Sequence, residues 1–199
     1  MSFKVKDHYF NKAKKENFVA RSIYKLEEID KKYKVISKGD LVFDLGYYPG
    51  SWIQYTSRKI GSEGKVVGID IKEVNDKMNK IPNVEVFHKD INDLKTLEEL
   101  GVDRPFDVVV SDMAPNTTGI KSVDQARSLN LVEMVFFHLP KLLRNGGNFV
   151  IKVFDSNDAQ NFLKAQRSMF KEFSYLKPKS TRSVSKEFFV IGKGFKHNG

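Results

Sequence analysis

The chain contains no cysteine. This excludes disulfides, thiolate catalysis and cysteine-ligated metals, and suits a reducing cytosol, so the expected location is cytoplasmic. Nowhere is there an apolar run of the roughly 18 residues that a membrane-spanning helix needs. Nor is there a secretory signal. Residues 1–15 are polar and basic throughout, and their cations are lysines, where an organelle-targeting peptide would use arginine and serine. A soluble protein without membrane contact is expected. The turn after the first apolar run holds Gly46 and Gly50 but lacks a G-x-G-x-x-G pattern, which counts against a dinucleotide-dependent dehydrogenase. Repeats and linkers are also missing. A chain of 199 residues with 40% hydrophobic and 30% charged residues then reads as one domain with a sizeable core, preceded by a basic arm at 1–17.

Acidic residues are scarce at both ends. Residues 1–34 hold ten Lys/Arg against five Asp/Glu, and residues 164–199 hold nine against two, while the middle carries a slight negative excess. The overall charge of +9 is therefore terminal. If the two ends meet in space, they make a face for phosphates; otherwise they are a solubilising basic surface.

Along the chain, residues 18–33 read as a helix whose apolar face is Val19, Ile23, Leu26 and Ile29, with Ser22, Lys25 and Glu28 elsewhere on the wheel. Residues 41–45 form a first strand. The stretch 44–52 (DLGYYPGSW) follows, and 53–60 continues as a helix. Strands are expected at 65–70, 84–88, 106–111, 148–154, 173–176 and 188–191. Helices are expected over a short span from Asn92 or Asp93 to Gly101, over 124–143 (closed at 145–147), and over 157–170. Alternating strands and helices indicate a mostly parallel α/β sheet covered on both faces. The last two strands, with no helix between them, suggest an antiparallel edge.

The strand–glycine turn–helix at 41–60 is either an ordinary βα turn or a loop presenting backbone to a ligand. Acids stand at Asp44, Asp70, Asp90 and Asp112, at or near the ends of successive strands, and so along the rim where open α/β sheets bind ligands. An acid at a strand end such as Asp70 can hydrogen-bond ribose hydroxyls. Lys152 lies inside an apolar strand, FVIKVF. A buried ammonium is costly unless paired, so Lys152 either reaches solvent near the strand end or is held in the crevice, with Asp112 as its natural neighbour.

These segments together resemble the FtsJ/RrmJ-type ribosomal RNA 2′-O-ribose methyltransferases. The likeness runs over residues 7–26, with Arg21-Ser22 and Tyr24-Lys25-Leu26, then over 44–52, 111–116 (SDMAPN), 151–154 (IKVF) and 177–187. It implies a class I S-adenosylmethionine-dependent methyltransferase fold, Rossmann-like, with seven strands, the last antiparallel, and helices on both faces. It also implies a catalytic tetrad of Lys25, Asp112, Lys152 and Glu187. Lys152 would accept the proton of the ribose 2′-hydroxyl, Lys25 and Glu187 would orient the ribose and tune Lys152, and Asp112 would hold Lys152 near the methyl-bearing end of the cofactor. S-adenosylmethionine would lie over the loop of Gly46, Tyr48, Pro49, Gly50, Ser51 and Trp52, with Asp70 at its ribose and Asp90 near its adenine. RNA would be met by Lys12, Lys14, Lys15, Arg21, Lys179, Arg182 and Lys186. No metal is implied. The expected substrate is a uridine of large-subunit rRNA, modified by a monomer; tRNA is the alternative substrate.

Tyr47-Tyr48 stand where the family has two alanines, and Ser51 where it has glycine. The two aromatics either point away from the cofactor or form its pocket wall. Residues 155–157 also depart from the pattern, in a loop that could touch substrate. A non-enzymatic RNA-binding assembly factor on the same fold would have no need of Lys152 in a central strand. A small-molecule O-methyltransferase would leave both basic termini unexplained.

Overall fold

The structure, a computed structural model, describes residues 8–197. Residues 1–7 of the basic arm lie outside the described residues. Helices are α1 (His8–Lys15), α2 (Ile23–Tyr33), α3 (Ser51–Ile60), α4 (Asp76–Asn79), α5 (Lys121–Leu142) and α6 (Asn157–Gln166). Strands are β1 (Leu41–Leu45), β2 (Lys65–Asp70), β3 (Val84–His88), β4 (Phe106–Ser111), β5 (Leu143–Phe154), β6 (Phe170–Leu176) and β7 (Glu187–Phe195). They form one sheet in the order β3-β2-β1-β4-β5-β7-β6.

All neighbours pair in parallel except around β7, which runs antiparallel to both β5 and β6. The antiparallel strand is therefore inside the sheet, and β6 is the edge. The sequence shows that β6 and β7 lack a helix between them, but not that β7 inserts beside β5. That insertion matters to the site, because it sets Phe154 opposite Glu187 and Lys152 opposite Phe189.

Alternation along the strands divides the interior into two cores. Leu26, Ile29, Ile53, Ile60 and Met78 of α2, α3 and α4 cover one face with Val42, Val66, Val108 and Val150. Val132, Val135, Leu139 and Leu163 of α5 and α6 cover the other, over Phe43, Phe106 and Phe149. Each such fully buried side chain contributes about 1.5–3 kcal/mol from loss of water contact. Chain order reverses between β1 and β4, so the crevice at their C-terminal ends is the switch point where α/β sheets take ligands.

Several boundaries move from the expectation. Helix α2 starts at Ile23, not at residue 18. The backbone before it bonds elsewhere: Phe18 N–H to the Ala13 carbonyl (2.9 Å) and Val19 N–H to Gln54 Oε1 (2.9 Å). Val19 is consequently exposed rather than on the apolar face. The arm is not loose from residue 8 on. Helix α1 buries Ala13, and Tyr9 packs on Tyr24 with ring centroids 5.5 Å apart.

The segment after Asp90 makes two 3-10 turns, Ile91–Asp93 and Leu97–Leu100, the first capped by Asp90 and the second by a Thr96–Glu99 capping box. Helix α4 was not foreseen. Asp124 accepts from Thr118 N–H at 2.7 Å, three residues inside a helix that begins at Lys121. Gly146 and Gly147 do not end that helix. They lie in β5, where the register with β4 slips between Phe106 and Val108. Helix α6 stops at Gln166, and a 3-10 turn leads into β6. Among the described residues no helix is long and apolar enough to cross a membrane.

Candidate active site

The β1–α3 loop is shaped by two glycines in left-handed backbone, Gly46 at φ +76° and Gly50 at φ +110°. Both also permit close packing within the protein. A Cβ on Gly46 would lie 2.0 Å from Met113 Cγ, and one on Gly50 would lie 2.2 Å from Met78 Sδ. The two tyrosines divide the alternatives left by the sequence. Tyr47 turns into the core, where its ring rests over Gly68 and its hydroxyl accepts from Asn75 N–H at 3.0 Å. Tyr48 stays half-exposed and lines the crevice, its N–H donating to Asp70 Oδ2 at 3.0 Å and the Lys72 ammonium 5.0 Å from its ring centroid.

Ser51 and Trp52 are buried away from the crevice. Ser51 Oγ meets Ser22 Oγ at 2.6 Å, and Trp52 Nε1–H donates to the Ser22 carbonyl at 2.9 Å. They lock α3 to the start of α2. Pro49, joined to Tyr48 by a cis peptide bond, also lies outside the crevice lining, and its carbonyl accepts from Asn75 Nδ2 at 2.8 Å.

The crevice is a cavity of about 690 Å³ over the C-terminal ends of β1, β2, β3 and β4. Its polar wall carries Asp70, Asp90 and Asp112, and its apolar wall Ile69, Met113, Leu131 and Met134. Asp70 is oriented by the N–H groups of Tyr48 and Lys72, each at 3.0 Å. Asp90 is held by the N–H (2.9 Å) and side-chain amide (3.0 Å) of Asn92. The fourth rim acid behaves differently. Asp44 lies within β1, is 1% exposed, and its Oδ2 has no hydrogen-bond partner among the described residues. Burial, with the fields of Asp112 and Asp70 added, pushes its carboxyl well above the usual range.

The four residues Lys25, Asp112, Lys152 and Glu187 come from α2, the end of β4, β5 and β7, and form two ion pairs. Lys152, only 8% exposed, donates to the Asp112 main-chain carbonyl at 2.6 Å. Its ammonium also lies 3.0 Å from Asp112 Oδ1, as an ion pair rather than a directed hydrogen bond. Lys25 pairs with Glu187, both side chains largely out of water, and the Lys25 ammonium is 5.7 Å from the Phe189 ring centroid. Burial alone would raise the Glu187 carboxyl. Lys25, and after it Lys152, outweigh that and hold it below the usual range.

A second cavity, about 330 Å³, opens beside this tetrad, lined by Arg21, Ser22, Lys25, Arg182, Val184, Ser185 and Glu187. The basic ends of the chain do meet here. Arg21 donates to the Ser180 carbonyl, and Glu28 of α2 accepts the N–H groups of Lys179 (2.7 Å) and Ser180 (2.9 Å). Burial, and then Arg182, lower the Arg21 guanidinium, with Glu187 opposing. Lys14, Lys15, Lys179, Arg182 and Lys186 are exposed. Lys12 lies 4.4 Å from the Tyr24 ring centroid and 4.0 Å from Glu16, with its side chain 40% exposed. Glu28 as the tether of the 177–186 loop was not foreseen; as a helix residue 151 positions from Lys179 it carries no local signal. Among the described residues no group of three or more His, Asp or Glu side chains is arranged to hold a metal ion.

The FtsJ-like methyltransferase family matches residues 18–195. A Bdellovibrio bacteriovorus protein named ribosomal RNA large subunit methyltransferase E is 44% identical over 192 residues, covering 96% of this chain and 98% of the relative. The protein of that name from Oleidesulfovibrio alaskensis is 46% identical over 198 residues, covering 97% and 93%. Among solved structures, a ribosomal RNA methyltransferase of Plasmodium falciparum aligns with a TM-score of 0.76 at 28% identity, over 89% of this chain and 98% of that one. A fibrillarin of Aeropyrum pernix, determined with natively bound S-adenosyl-L-methionine, aligns at a TM-score of 0.60 and 16% identity over 86% and 76%, a likeness of fold alone. The sheet order, the single inserted antiparallel strand and these matches give the class I methyltransferase fold, and the chain is a methyltransferase belonging to the FtsJ-like family.

Proposed function

We propose that this methyltransferase modifies a ribose 2′-hydroxyl of RNA, at a uridine of large-subunit ribosomal RNA, with S-adenosylmethionine as donor. The observation that carries the proposal is the position of the tetrad. Asp112 lines the large cavity, Lys25 and Glu187 line the small one, and buried Lys152 pairs with Asp112 while its charge acts on Glu187. The large cavity suits a nucleoside donor in size and in its acceptor carboxylates at the ends of two adjacent strands. Asp70 would hold the ribose and Asp90 the adenine. The loop at Gly46 and Tyr48 would face the methionine part, with Gly50, Ser51, Trp52 and Pro49 supporting that loop from behind. A cofactor bound there would supply a methyl group by breaking its S–CH3 bond, leaving a neutral thioether that needs no proton.

The protein's work is then to orient one hydroxyl and manage one proton. Lys152 Nζ is anchored by its hydrogen bond to the Asp112 carbonyl and drawn to the Asp112 carboxylate, and the substrate hydroxyl would meet the lone pair of its neutral form. In its neutral form it accepts the 2′-hydroxyl proton. The Lys25–Glu187 pair would orient the ribose. The exposed cations Lys14, Lys15, Lys179, Arg182 and Lys186, with Arg21 and Lys12, would contact RNA phosphates. The relatives' names, which specify large-subunit rRNA, support the choice of substrate. The test is mass mapping of 2′-O-methylated nucleotides in rRNA and tRNA from cells with and without the gene. Loss of one methylated uridine from large-subunit rRNA is expected; loss confined to tRNA would replace the substrate, and no loss in either would reject the function.

A further inference from the structure

The Asp90 carboxylate has one oxygen committed and one open. Oδ1 accepts from Asn92 N–H at 2.9 Å and from Asn92 Nδ2 at 3.0 Å. Oδ2 makes no hydrogen bond among the described residues, although Asp90 lines the large cavity. The Asn92 amide has only one sensible orientation, because its reverse would set a carbonyl oxygen against the carboxylate. That orientation turns Asn92 Oδ1 toward His138 Nε2, 3.3 Å away on α5. His138 must therefore carry its proton on Nε2. Burial, and then Lys141, lower the imidazole from its ordinary value, with Asp90 opposing, which favours the neutral ring. His138 is 9% exposed, and its ring meets that of Phe137 edge-on with centroids 5.1 Å apart. The Asn92 amide is further located by Met134 Sδ at 3.5 Å, on the helix face that also lines the cavity.

We propose that His138 and Asn92 are positioning residues that lock the Asp90 carboxylate, and so set the site's preference for a 6-aminopurine over a 6-oxopurine in the bound cofactor. The proposal rests on the reading of Asp90 as the adenine contact. A locked carboxylate with one open oxygen accepts from an exocyclic amino group and repels a 6-oxo group. A carboxylate free to turn could accept from the N1–H of a 6-oxopurine instead. Locking is what makes the negative charge discriminate. Helix α5 supplies the fixed end of the relay.

Calorimetric titration of the full chain with S-adenosylhomocysteine and with S-inosylhomocysteine tests this. One charge-assisted hydrogen bond gives roughly 10- to 150-fold preference for the adenine ligand in the unaltered protein. Asn92→Asp, at an exposed position that leaves the core untouched, and His138→Phe are expected to lower that ratio at least about fivefold. His138→Gln, which keeps an N–H donor, is expected to hold it within about twofold. If Asn92→Asp weakens both ligands equally and leaves the ratio unchanged, the relay has no discriminating role and the proposal is overturned. If the unaltered protein shows no preference, or Asp90→Asn retains it, the adenine reading of Asp90 fails and takes the proposal with it. The two failures are told apart by the Asp90→Asn ratio.

Discussion

Replacing Lys152 is the sharpest probe of the tetrad. The side chain is 8% exposed, and its ammonium is held by the Asp112 carbonyl at 2.6 Å and the Asp112 carboxylate at 3.0 Å. Lys152→Ala removes the proposed proton acceptor, a role worth about 10²–10⁴ in rate, or about 2.7–5.4 kcal/mol of barrier. Stability falls as well, because Asp112 loses its partner in a site where its side chain is only 20% exposed, at a cost of about 1–3 kcal/mol. Lys152→Met keeps the volume of the stem and separates lost chemistry from lost packing. Cofactor affinity is expected to change by less than about threefold, since Lys152 is not among the residues lining the large cavity and the loop contacts are untouched. The assay is single-turnover transfer of tritiated methyl to RNA, run beside calorimetric binding of S-adenosylmethionine and thermal melts. Undiminished single-turnover transfer by Lys152→Met would refute the proton-acceptor role. An equal loss of cofactor binding and transfer would refute the separation of donor holding from chemistry.

Other expectations follow from the same geometry. Glu187→Gln leaves Lys25 unpaired in a largely buried pocket and is expected to cost about 3 kcal/mol. Because Glu187 is held below its ordinary value of 4.5, its contribution is complete above that value and is lost as pH falls through the folded value, so wild type and variant converge in denaturation midpoint only in acid. Asp44 is the opposite case: its folded carboxyl is raised above 3.8, so ionisation opposes folding as pH rises, and the stability advantage of Asp44→Asn should grow from about pH 4 upward in melts across pH. Tyr47→Phe strands the Asn75 N–H, costing about 1–2 kcal/mol in chemical denaturation while cofactor affinity holds. Tyr48→Ala should do the reverse, weakening cofactor binding with stability within about 0.5 kcal/mol. RNA affinity should fall linearly on a log–log plot against salt, and Lys186→Ala or Arg182→Ala should reduce the slope by about 0.7–0.9 each; a flat response rejects the phosphate-binding face.

Much of this was legible because it is local or motif-borne. Strands such as β1 and β4 are short apolar runs ending at an acid and a turn, and no other element type fits that pattern and length. The tetrad was legible only through family resemblance, since Lys25 and Glu187 are 162 residues apart in a chain whose spacing says nothing of their contact. The β1–α3 loop divides: Tyr48 lines the crevice beside Asp70, whereas Trp52, Ser51, Gly50 and Pro49 turn toward protein, because the helix that begins at Ser51 needs anchoring to α2 and α4. The start of α2 was misread at residue 18 because the apolar period continues through Val19 while the backbone hydrogen bonds there go to Ala13 and Gln54.

By itself the sequence determined the alternating α/β plan, the absence of thiol chemistry, the basic termini and the anomaly of a lysine in a central strand. Those are properties of composition and of periods of two and three to four residues, which act over a few neighbours. Only the tertiary structure decided that β7 inserts beside β5, that Glu28 and Arg21 draw the 177–186 loop onto α2, and that His138 reaches Asn92 from across the sheet end. Contacts between segments distant in the chain are set by which faces pack and in what register, and no local period encodes that. The same holds for Asp44, whose carboxyl is pushed upward by burial that its place after three apolar residues suggests but cannot measure.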